Sequence, residues 1–306
     1  MPPLRPHGVS APDTLPDDAR LGRWLAGADT LHADTRVAVI GFPVDDGVRR
    51  NGGRPGAAQG PEAIRRALYA MTPDARSGDA YSALLDRTVD LGDIVPSGDL
   101  ASDQRALGDA VASVLDVGAV PIVLGDGHET AYGHALGYLD HGRSVDLLNW
   151  DAHTDVRPLR DGHGHSGSPF RQALAHPSGL ARTYTVAGAM PWRVAAAHAS
   201  VPTAIVWRDE LDADRIDDIT AGLSRPTYAS FDLDLVAAGA APGVSAPGVG
   251  GLSVELWLRA AEACGRASAV TSLDIVELCP AHDADGRAAT LAALTVWHML
   301  RGVAAR

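Results

Sequence analysis

The sequence predicts an α/β fold in which a mostly parallel β-sheet is covered by helices on both faces. Short apolar runs alternate along the chain with longer amphipathic stretches, which is typical of strands joined by crossover helices. No Ser- or Gly-rich linker and no internal repeat interrupts this alternation. We therefore expect one domain, residues 21–306, preceded by a Pro- and Asp-rich arm, residues 1–20, that is loosely ordered.

Each predicted element rests on its hydrophobic pattern. The strand candidates are short, mostly apolar runs, as expected for strands of a parallel sheet: Arg36–Phe42, Val120–Leu124, Val145–Trp150, Thr227–Phe231 and Val270–Val276. The helix candidates are amphipathic stretches between them: Gly60–Tyr69, Ala101–Leu115, Glu129–Leu139, Val254–Cys264 and Arg287–Arg301.

Composition narrows the classes of function. Acidic residues outnumber basic ones 38 to 26, and the net charge of −12 argues against a nucleic-acid partner, whose binding depends on Lys and Arg. The sequence has no lysine, which excludes Schiff-base chemistry and a Walker-type phosphate loop. Cys264 and Cys279 lack the spacing of a zinc site, and no apolar run is long enough to span a membrane. We expect a cytoplasmic protein that acts on a small molecule and makes no membrane contact.

Acidic and imidazole residues follow three of the predicted strands, at the point where each strand ends. Open α/β sheets bind their ligands at this edge. The residues are His128 in LGDGHE, Asp151, His153 and Asp155 in NWDAHTD, and Asp232 and Asp234 in SFDLD.

This set of side chains has the composition of a paired-metal site. In extended backbone the side chains at i, i+2 and i+4 point to one side, so we expect both Asp-rich motifs to project into one space. Four carboxylates could not remain buried together without cations, and two divalent ions would supply the matching charge. Such a pair of ions activates a water molecule. Carboxylate and imidazole ligands favour Mn²⁺, although Zn²⁺, Co²⁺ and Ni²⁺ also accept them.

At these motifs the chain resembles the ureohydrolase family, which contains the arginases, agmatinases and formimidoylglutamases. The resemblance runs from Val37 to the C-terminal helix and is carried by GFPVDDGVRRNGGRPGAAQGPEAIR, LGDGHE, NWDAHTDVR, SGSPF, SFDLDLVAAGAAPGVSAPG and DIVELCPAHD. It implies an arginase-like three-layer α/β/α fold and hydrolysis of a C–N bond in an amidine or guanidine. It also implies two Mn²⁺ ions per subunit and a homo-oligomer, either a trimer or a hexamer.

The resemblance also assigns roles by position. The first ion is expected at His128, Asp151, Asp155 and Asp232, and the second at Asp151, His153, Asp232 and Asp234. Two of these carboxylates then bridge the ions, namely Asp151 and Asp232. Asp155 is expected to pass a proton to the leaving amine, and Glu277 in DIVELCP to face the amidinium or guanidinium group of the substrate.

The segment GVRRNGGRPGAAQGP is most similar to the formimidoylglutamases, whose substrate carries two carboxylates. Because the arginine fork suits carboxylates, we expect substrate contacts in this loop from Arg49, Arg50, Asn51 and Arg54. The same arginines could instead fix the loop or reach a neighbouring subunit.

Ser166 in HSGSPF is a further candidate substrate contact. Arginases and agmatinases place a histidine here, so Ser166 argues against guanidine hydrolysis of the usual type. His163 and His165 could substitute for that histidine in part or be solvated loop residues. Asp126 replaces a glycine of the family and is expected either to orient His128 or to cap the helix near Glu129.

The leading hypothesis is hydrolysis of N-formimidoyl-L-glutamate to L-glutamate and formamide, a step of histidine breakdown. One alternative is a guanidinobutyrase- or agmatinase-like hydrolase that releases urea from a guanidino compound, preferably one with a carboxylate. A second is a metal-binding paralogue without catalysis, for which a retained ligand set is unexpected.

Overall fold

A nine-stranded sheet forms the middle of the fold in the computed structural model, which describes all residues except 3, 16 and 28. The strands lie in the order β1-β3-β2-β4-β9-β8-β5-β6-β7, and every neighbouring pair is parallel except β1 with β3. Their bounds are β1 (Leu4–Arg5), β2 (Val37–Gly41), β3 (Thr88–Ile94), β4 (Val120–Leu124), β5 (Val145–Trp150), β6 (Ala181–Ala189), β7 (Ala204–Trp207), β8 (Thr227–Asp232) and β9 (Val270–Val276).

Helices connect successive strands and pack on both faces of the sheet. Their bounds are α1 (Gly22–Leu25), α2 (Asp46–Asn51), α3 (Gly60–Tyr69), α4 (Asp79–Leu85), α5 (Leu100–Asp116), α6 (Thr130–Leu139), α7 (Pro169–Leu174), α8 (Ala196–Ala199), α9 (Ala213–Ala221), α10 (Val254–Arg266) and α11 (Arg287–Ala304). Among the described residues, no helix combines the length and the apolar character needed to cross a membrane.

Two hydrophobic cores lie on the two faces of the sheet. In β2, Val39 packs into the core that includes residues of α3, α10 and α11, whereas the next residue, Ile40, packs into the core that includes residues of α5, α6 and α7. Successive side chains of a strand point to opposite faces, so a strand covered on both sides is apolar throughout. The predicted fold class, a three-layer α/β/α arrangement around a mostly parallel sheet, is confirmed.

The predicted elements agree with the structure to within a few residues. Three predicted strands have the observed bounds, β2 is shorter than predicted by one residue at each end, and β8 is longer by one residue at its carboxyl end. The strands β1, β3, β6 and β7 were not predicted. In the arm, Leu4 and Arg5 pair with Ile94 and Asp93 of β3, whereas the division into an arm and a single domain stays a prediction.

The strand β3 carries two buried carboxylates that both bind one buried arginine. Arg65 of α3 is fully buried and binds Asp90 through two nitrogens, at 2.8 and 2.9 Å, and Asp93 through a third, at 2.5 Å. Tyr69 donates to Asp90 at 2.8 Å. Gly41 of β2 leaves the space for this cluster, since a Cβ there would lie 1.9 Å from Asp93 Oδ1.

We expect Arg65→Met to lower the free energy of unfolding by about 3–5 kcal/mol, because the substitution removes the cation that binds the buried Asp90 and leaves Asp93 with only the more distant Arg5, at 3.9 Å. Urea unfolding at neutral pH measures the loss. The neighbouring Arg66, whose side chain is 69% exposed and pairs with Glu62, is the matched control. Its substitution by Met is expected to cost less than about 1 kcal/mol. Equal losses for the two variants would contradict the assignment.

Candidate metal centre

The polar residues that follow the central strands meet at one edge of the sheet. The strands β4, β9, β8 and β5 are consecutive neighbours in the sheet and run parallel. Their carboxyl ends therefore lie side by side, and the segments that follow them, 125–129, 277–279, 233–236 and 151–155, come together there. This is the edge at which open parallel sheets bind ligands.

The first cluster surrounds Nδ1 of His128. This atom lies 3.3 Å from Asp151 Oδ2, 2.9 Å from Asp155 Oδ2 and 3.0 Å from Asp232 Oδ2. All four residues are buried. The structure thus brings one imidazole nitrogen and three carboxylate oxygens together, as the sequence predicts.

The second cluster shares Asp151 with the first. Nδ1 of His153 lies 3.4 Å from Asp151 Oδ1 and 3.2 Å from Asp234 Oδ2. The two oxygens of Asp151 therefore face different clusters, which is the arrangement of a bridging carboxylate. Asp232 is not part of this second cluster, and its Oδ1 accepts a hydrogen bond from the backbone N–H of Asp234 at 2.8 Å. A bridging role for Asp232 stays a prediction.

The side chains converge through turns and not through extended backbone. The strand β5 ends at Trp150, the N–H of His153 donates to Asp151 Oδ1 at 2.7 Å, and Asp155 has a φ of 42°. Likewise, Asp232 ends β8 and a short 3₁₀ turn follows. The prediction of extended backbone for both motifs is wrong, because each aspartate binds the N–H two residues later and so turns the chain.

A hydrogen-bonded chain orients the ring of His128. Its Nε2 lies 3.0 Å from Ser230 Oγ, and that hydroxyl donates its one hydrogen to Asp274 Oδ1 at 2.7 Å. Ser230 must therefore accept from His128, so that Nε2 carries the proton and Nδ1 presents a lone pair. Sequence analysis missed both residues. The feature of the sequence that could have indicated them is a polar side chain within a mostly apolar strand, Ser230 in TYASFD and Asp274 in VTSLDIV.

These residues fit a pair of divalent cations. Two atoms of the clusters are buried and have no hydrogen-bond partner among the described residues, namely His128 Nδ1 and Asp234 Oδ1. A lone pair that faces three carboxylate oxygens is repulsive unless a proton or a metal ion lies between them. The set contains carboxylates and imidazoles but no thiolate, which suits Mn²⁺, and Ser230 completes it as the partner of a ligating histidine.

Glu277 lies beside the two clusters and has both oxygens engaged. Its Oε1 accepts from the backbone N–H of His128 at 2.8 Å, and its Oε2 accepts from the hydroxyl of Ser245. Burial, reinforced by the charge of Asp234, raises the pKa of Glu277 to about 7. Its φ of 68° is unusual for a residue with a side chain and marks local strain, as is common at functional sites.

A cavity of about 290 Å³ opens onto this edge of the sheet. His153, Asp155, Asp232, Asp234 and Glu277 line one part of it. The remaining lining includes Asn51, Arg157, Ser166, Ser245 and Ala246.

Arg157 was not among the predicted contacts, yet it brings a guanidinium group to the cavity. Its Nη1 donates to Asn51 Oδ1 at 3.3 Å, and Asn51 Nδ2 donates to Ser166 Oγ at 3.0 Å. Two of the predicted substrate contacts, Asn51 and Ser166, thus lie at the cavity next to Arg157. Its signal in the sequence is its position two residues after Asp155, in HTDVR.

The three arginines of the predicted loop do not line the cavity. Arg49 pairs with Asp45 and Asp46, Arg50 donates to the carbonyl of Gly164, and Arg54 donates to backbone carbonyls near Ser245. Their observed contacts fix the loop, which was the alternative interpretation of these residues. A direct substrate contact for Arg49, Arg50 or Arg54 stays a prediction without support from this geometry.

The other uncertain residues have structural contacts. His165 accepts from the N–H of Gly167 at Nδ1 and lies 3.0 Å from the Pro158 carbonyl at Nε2, so it fixes its own loop. His163 shares a backbone bridge with Arg160. Among the described residues, Asp126 Oδ1 accepts from the N–H of Gly127, Oδ2 has no hydrogen-bond partner, and the N-cap position of α6 is Glu129, so Asp126 neither orients His128 by a hydrogen bond nor caps that helix. Burial, together with Glu129, raises the pKa of Asp126 well above its usual range.

The chain matches the model of the arginase family over residues 35–301. The chain belongs to the arginase family. Formimidoylglutamase from Salmonella paratyphi B is 36% identical over 298 residues, which cover 93% of this chain and 92% of that protein. The arginase-like fold expected from the resemblance is therefore confirmed.

Solved structures of the arginase family agree with this assignment. Formiminoglutamase from Trypanosoma cruzi, solved with two Mn²⁺ ions, has a TM-score of 0.84 and 30% identity, with 95% of this chain and 100% of that chain covered. A hypothetical agmatinase from Burkholderia thailandensis has a TM-score of 0.76 and 25% identity, with 90% and 88% covered.

We expect Mn²⁺ to raise the melting temperature more at about pH 8 than at about pH 6, because protons and metal ions compete for the same atoms. Burial opposes ionisation of His128 and His153, but the surrounding aspartates raise the pKa of both imidazoles well above the usual value. As pH falls these groups retain their protons and metal binding weakens. Thermal unfolding with and without Mn²⁺ at both pH values tests this, and a metal effect independent of pH would contradict it.

Proposed function

We propose that this arginase-family chain hydrolyses a C–N bond of N-formimidoyl-L-glutamate, giving L-glutamate and formamide. The proposal rests on one observation. Residues of both His/Asp clusters, the buried carboxylate of Glu277 and the guanidinium of Arg157 lie at the same cavity. The similarity to formimidoylglutamases from Salmonella paratyphi B and Trypanosoma cruzi supports the same substrate.

We further propose that the two clusters hold two Mn²⁺ ions. His128, Asp151, Asp155 and Asp232 would bind one of them, and Asp151, His153 and Asp234 the other. Such a pair supplies a nucleophile at neutral pH by lowering the pKa of water, and it polarises the carbon that is attacked. The Mn²⁺ of the Trypanosoma cruzi structure supports this choice of metal.

Glu277 binds the cationic end of the substrate in this proposal. Ser245 and the N–H of His128 hold its two oxygens, so the carboxylate is oriented before the substrate arrives. An amidinium is planar and presents parallel N–H donors, which suit a fixed carboxylate. Pairing with this cation also favours the ionised form of Glu277, whose pKa burial raises to about 7.

Asp155 moves the proton in this proposal. It lines the cavity and contacts His128 through Oδ2. A carboxylate here can accept the proton that the attacking water loses and deliver it to the leaving nitrogen of glutamate. The C–N bond then breaks, and the formimidoyl carbon becomes the carbon of formamide. Because the bound amidinium carries a positive charge, the second proton of the attacking water is also released, and the amine of L-glutamate takes it up to become an ammonium group.

The substrate class is tested by supplying Mn²⁺-loaded protein with N-formimidoyl-L-glutamate, agmatine, arginine and 4-guanidinobutyrate in parallel. We expect formamide and L-glutamate from the first compound and no urea from the others. Asp232→Ala is expected to abolish turnover and lower bound Mn²⁺, because it removes a carboxylate from the first cluster. The exposed Asp109, which pairs with His141, provides the control Asp109→Ala. Urea from a guanidino compound, without formamide, would overturn the substrate; binding of Mn²⁺ without any turnover would favour a non-catalytic paralogue.

Arg157 is proposed to bind a carboxylate of the substrate. Loss of one charge-assisted contact is expected to raise KM about tenfold in Arg157→Gln while kcat changes little. The exposed Arg182, at the amino end of β6 and thus at the other edge of the sheet, gives the control Arg182→Gln. Steady-state kinetics of both variants measure KM and kcat. An unchanged KM in Arg157→Gln would contradict the proposed contact between Arg157 and the substrate.

Cytoplasmic location and assembly into a trimer or hexamer remain proposals based on the family. Size-exclusion chromatography with light scattering measures the assembly.

A further inference from the structure

The segment 244–247, called here the wall segment, forms part of the cavity lining through Ser245 and Ala246. It lies in the long connection between β8 and α10 and has loop backbone apart from an isolated bridge between Val244 and Leu278. No helix or sheet ladder therefore determines its conformation. Its position must come from other contacts.

Arg54 holds the first half of the wall segment. Its Nε donates to the carbonyl of Ser245 at 3.1 Å, and its Nη2 donates to the carbonyl of Val244. Arg54 lies in the loop after α2, about 190 residues earlier in the sequence. One guanidinium thus binds two successive carbonyls through its fork.

Arg193 holds the second half in the same way. Its Nη1 donates to the carbonyl of Ala246 at 3.0 Å, and its Nη2 donates to the carbonyl of Pro247 at 2.6 Å. Four consecutive carbonyls of the wall segment therefore accept from two guanidinium groups. The side chain of Arg193 is 18% exposed, so its contacts are largely shielded from water.

Arg193 also contacts the second His/Asp cluster. Its Nη1 lies 3.4 Å from His153 Nε2 and 3.9 Å from Asp234 Oδ2. The same guanidinium that holds the wall segment is thus positioned against two proposed metal ligands. The side chain of Arg193 therefore contacts both the wall segment and the second His/Asp cluster.

The held segment carries the hydroxyl that orients Glu277. Ser245 Oγ donates to Glu277 Oε2, and a shift of the wall segment would remove that donor. We propose that Arg54 and Arg193 are positioning residues, which fix the wall segment and thereby the Ser245–Glu277 pair against the amidinium of the substrate. This inference rests on the proposed function for the identity of the substrate.

A role in direct substrate binding explains these contacts less well. The fork of each arginine is committed to carbonyl oxygens, and neither residue lines the cavity. Lysine cannot replace such a fork, because its ammonium presents a single point charge. The conservative variants Arg54→Lys and Arg193→Lys are therefore expected to restore only part of what the glutamine variants lose.

The kinetic test is a double-mutant cycle between Arg54→Gln and Ser245→Ala in Mn²⁺-loaded protein. Each single variant is expected to raise KM for N-formimidoyl-L-glutamate about tenfold, with a smaller change in kcat. Because Arg54 acts through Ser245, the double variant should resemble Ser245→Ala alone. Multiplied effects, about hundredfold in KM, would overturn the inference.

The matched control is Arg208→Gln. Arg208 donates to the carbonyl of Gly251 at 3.1 Å, so it binds the same connection but beyond the wall segment. Its KM should equal that of the unaltered protein. A rise as large as that in Arg54→Gln would mean that any arginine bound to this connection has the same effect, and would overturn a specific role for Arg54.

A second measurement needs no substrate. Hydrogen exchange of the Mn²⁺-loaded protein should show faster deuterium uptake in peptides spanning residues 244–251 for Arg54→Gln and Arg193→Gln, but not for Ser245→Ala. Unchanged uptake in both arginine variants would overturn the inference whatever the substrate is. Faster uptake in a protein that does not hydrolyse N-formimidoyl-L-glutamate would retain the role of the arginines in holding the wall segment and reject the proposed function instead.

Discussion

The concentration of negative charge at one edge of the sheet is the constraint on which the rest of this structure depends. Asp151, Asp155, Asp232 and Asp234 are between 0% and 9% exposed and lie within a few ångströms of each other. Carboxylates in such surroundings are unstable without cations. The fold brings them together nevertheless, because they lie at the carboxyl ends of neighbouring parallel strands that are mostly apolar and buried.

The protein prepares this site with its own hydrogen bonds. The N–H of His153 binds Asp151 and the N–H of Asp234 binds Asp232, so each aspartate is held by the turn that it starts. Ser230 fixes the tautomer of His128. These bonds do not neutralise the charge, but they orient the oxygen and nitrogen atoms before a cation binds. The ligand atoms are thus already ordered in the folded protein, and binding of a cation does not require them to lose further conformational entropy.

Much of the fold and the candidate ligands could be predicted from sequence, because both depend on local pattern. A parallel strand buried on both faces is mostly apolar, so β4, β5 and β9 could be predicted from their largely apolar runs. The strand β3 was missed because Asp90 and Asp93 interrupt its apolar pattern. The buried guanidinium of Arg65, which belongs to another element, binds both carboxylates and makes them compatible with a strand interior.

The sequence could not show which arginines face the cavity. Arg54 and Arg157 both lie in motifs of the family, but only Arg54 was predicted to contact the substrate, although either guanidinium suits a carboxylate. Their orientations depend on partners far away in sequence: Arg54 meets carbonyls about 190 residues later, and Arg157 meets Asn51, 106 residues earlier. No local pattern encodes such contacts, and the same limit applies to Ser245 and Glu277.

Glu129 shows how the metal centre and the cavity loop are joined through the protein itself. It follows His128 directly, and its Oε1 accepts from the N–H groups of Gly47 and Val48 in the first turn of α2. Burial, with the charge of Glu277, raises the pKa of Glu129 to about 8. Gly47 and Gly127 leave the space for this side chain, since a Cβ on either would lie within 2.4 Å of it.

The helix α2 ends with Asn51, which contacts both Ser166 and Arg157 at the cavity. A displacement of His128 would therefore move Glu129, and with it the start of α2 and the polar group that we propose binds the substrate carboxylate. Glu129 thus joins the segment that carries His128 to the amino end of the helix that ends at Asn51, through two backbone hydrogen bonds to one buried carboxyl group.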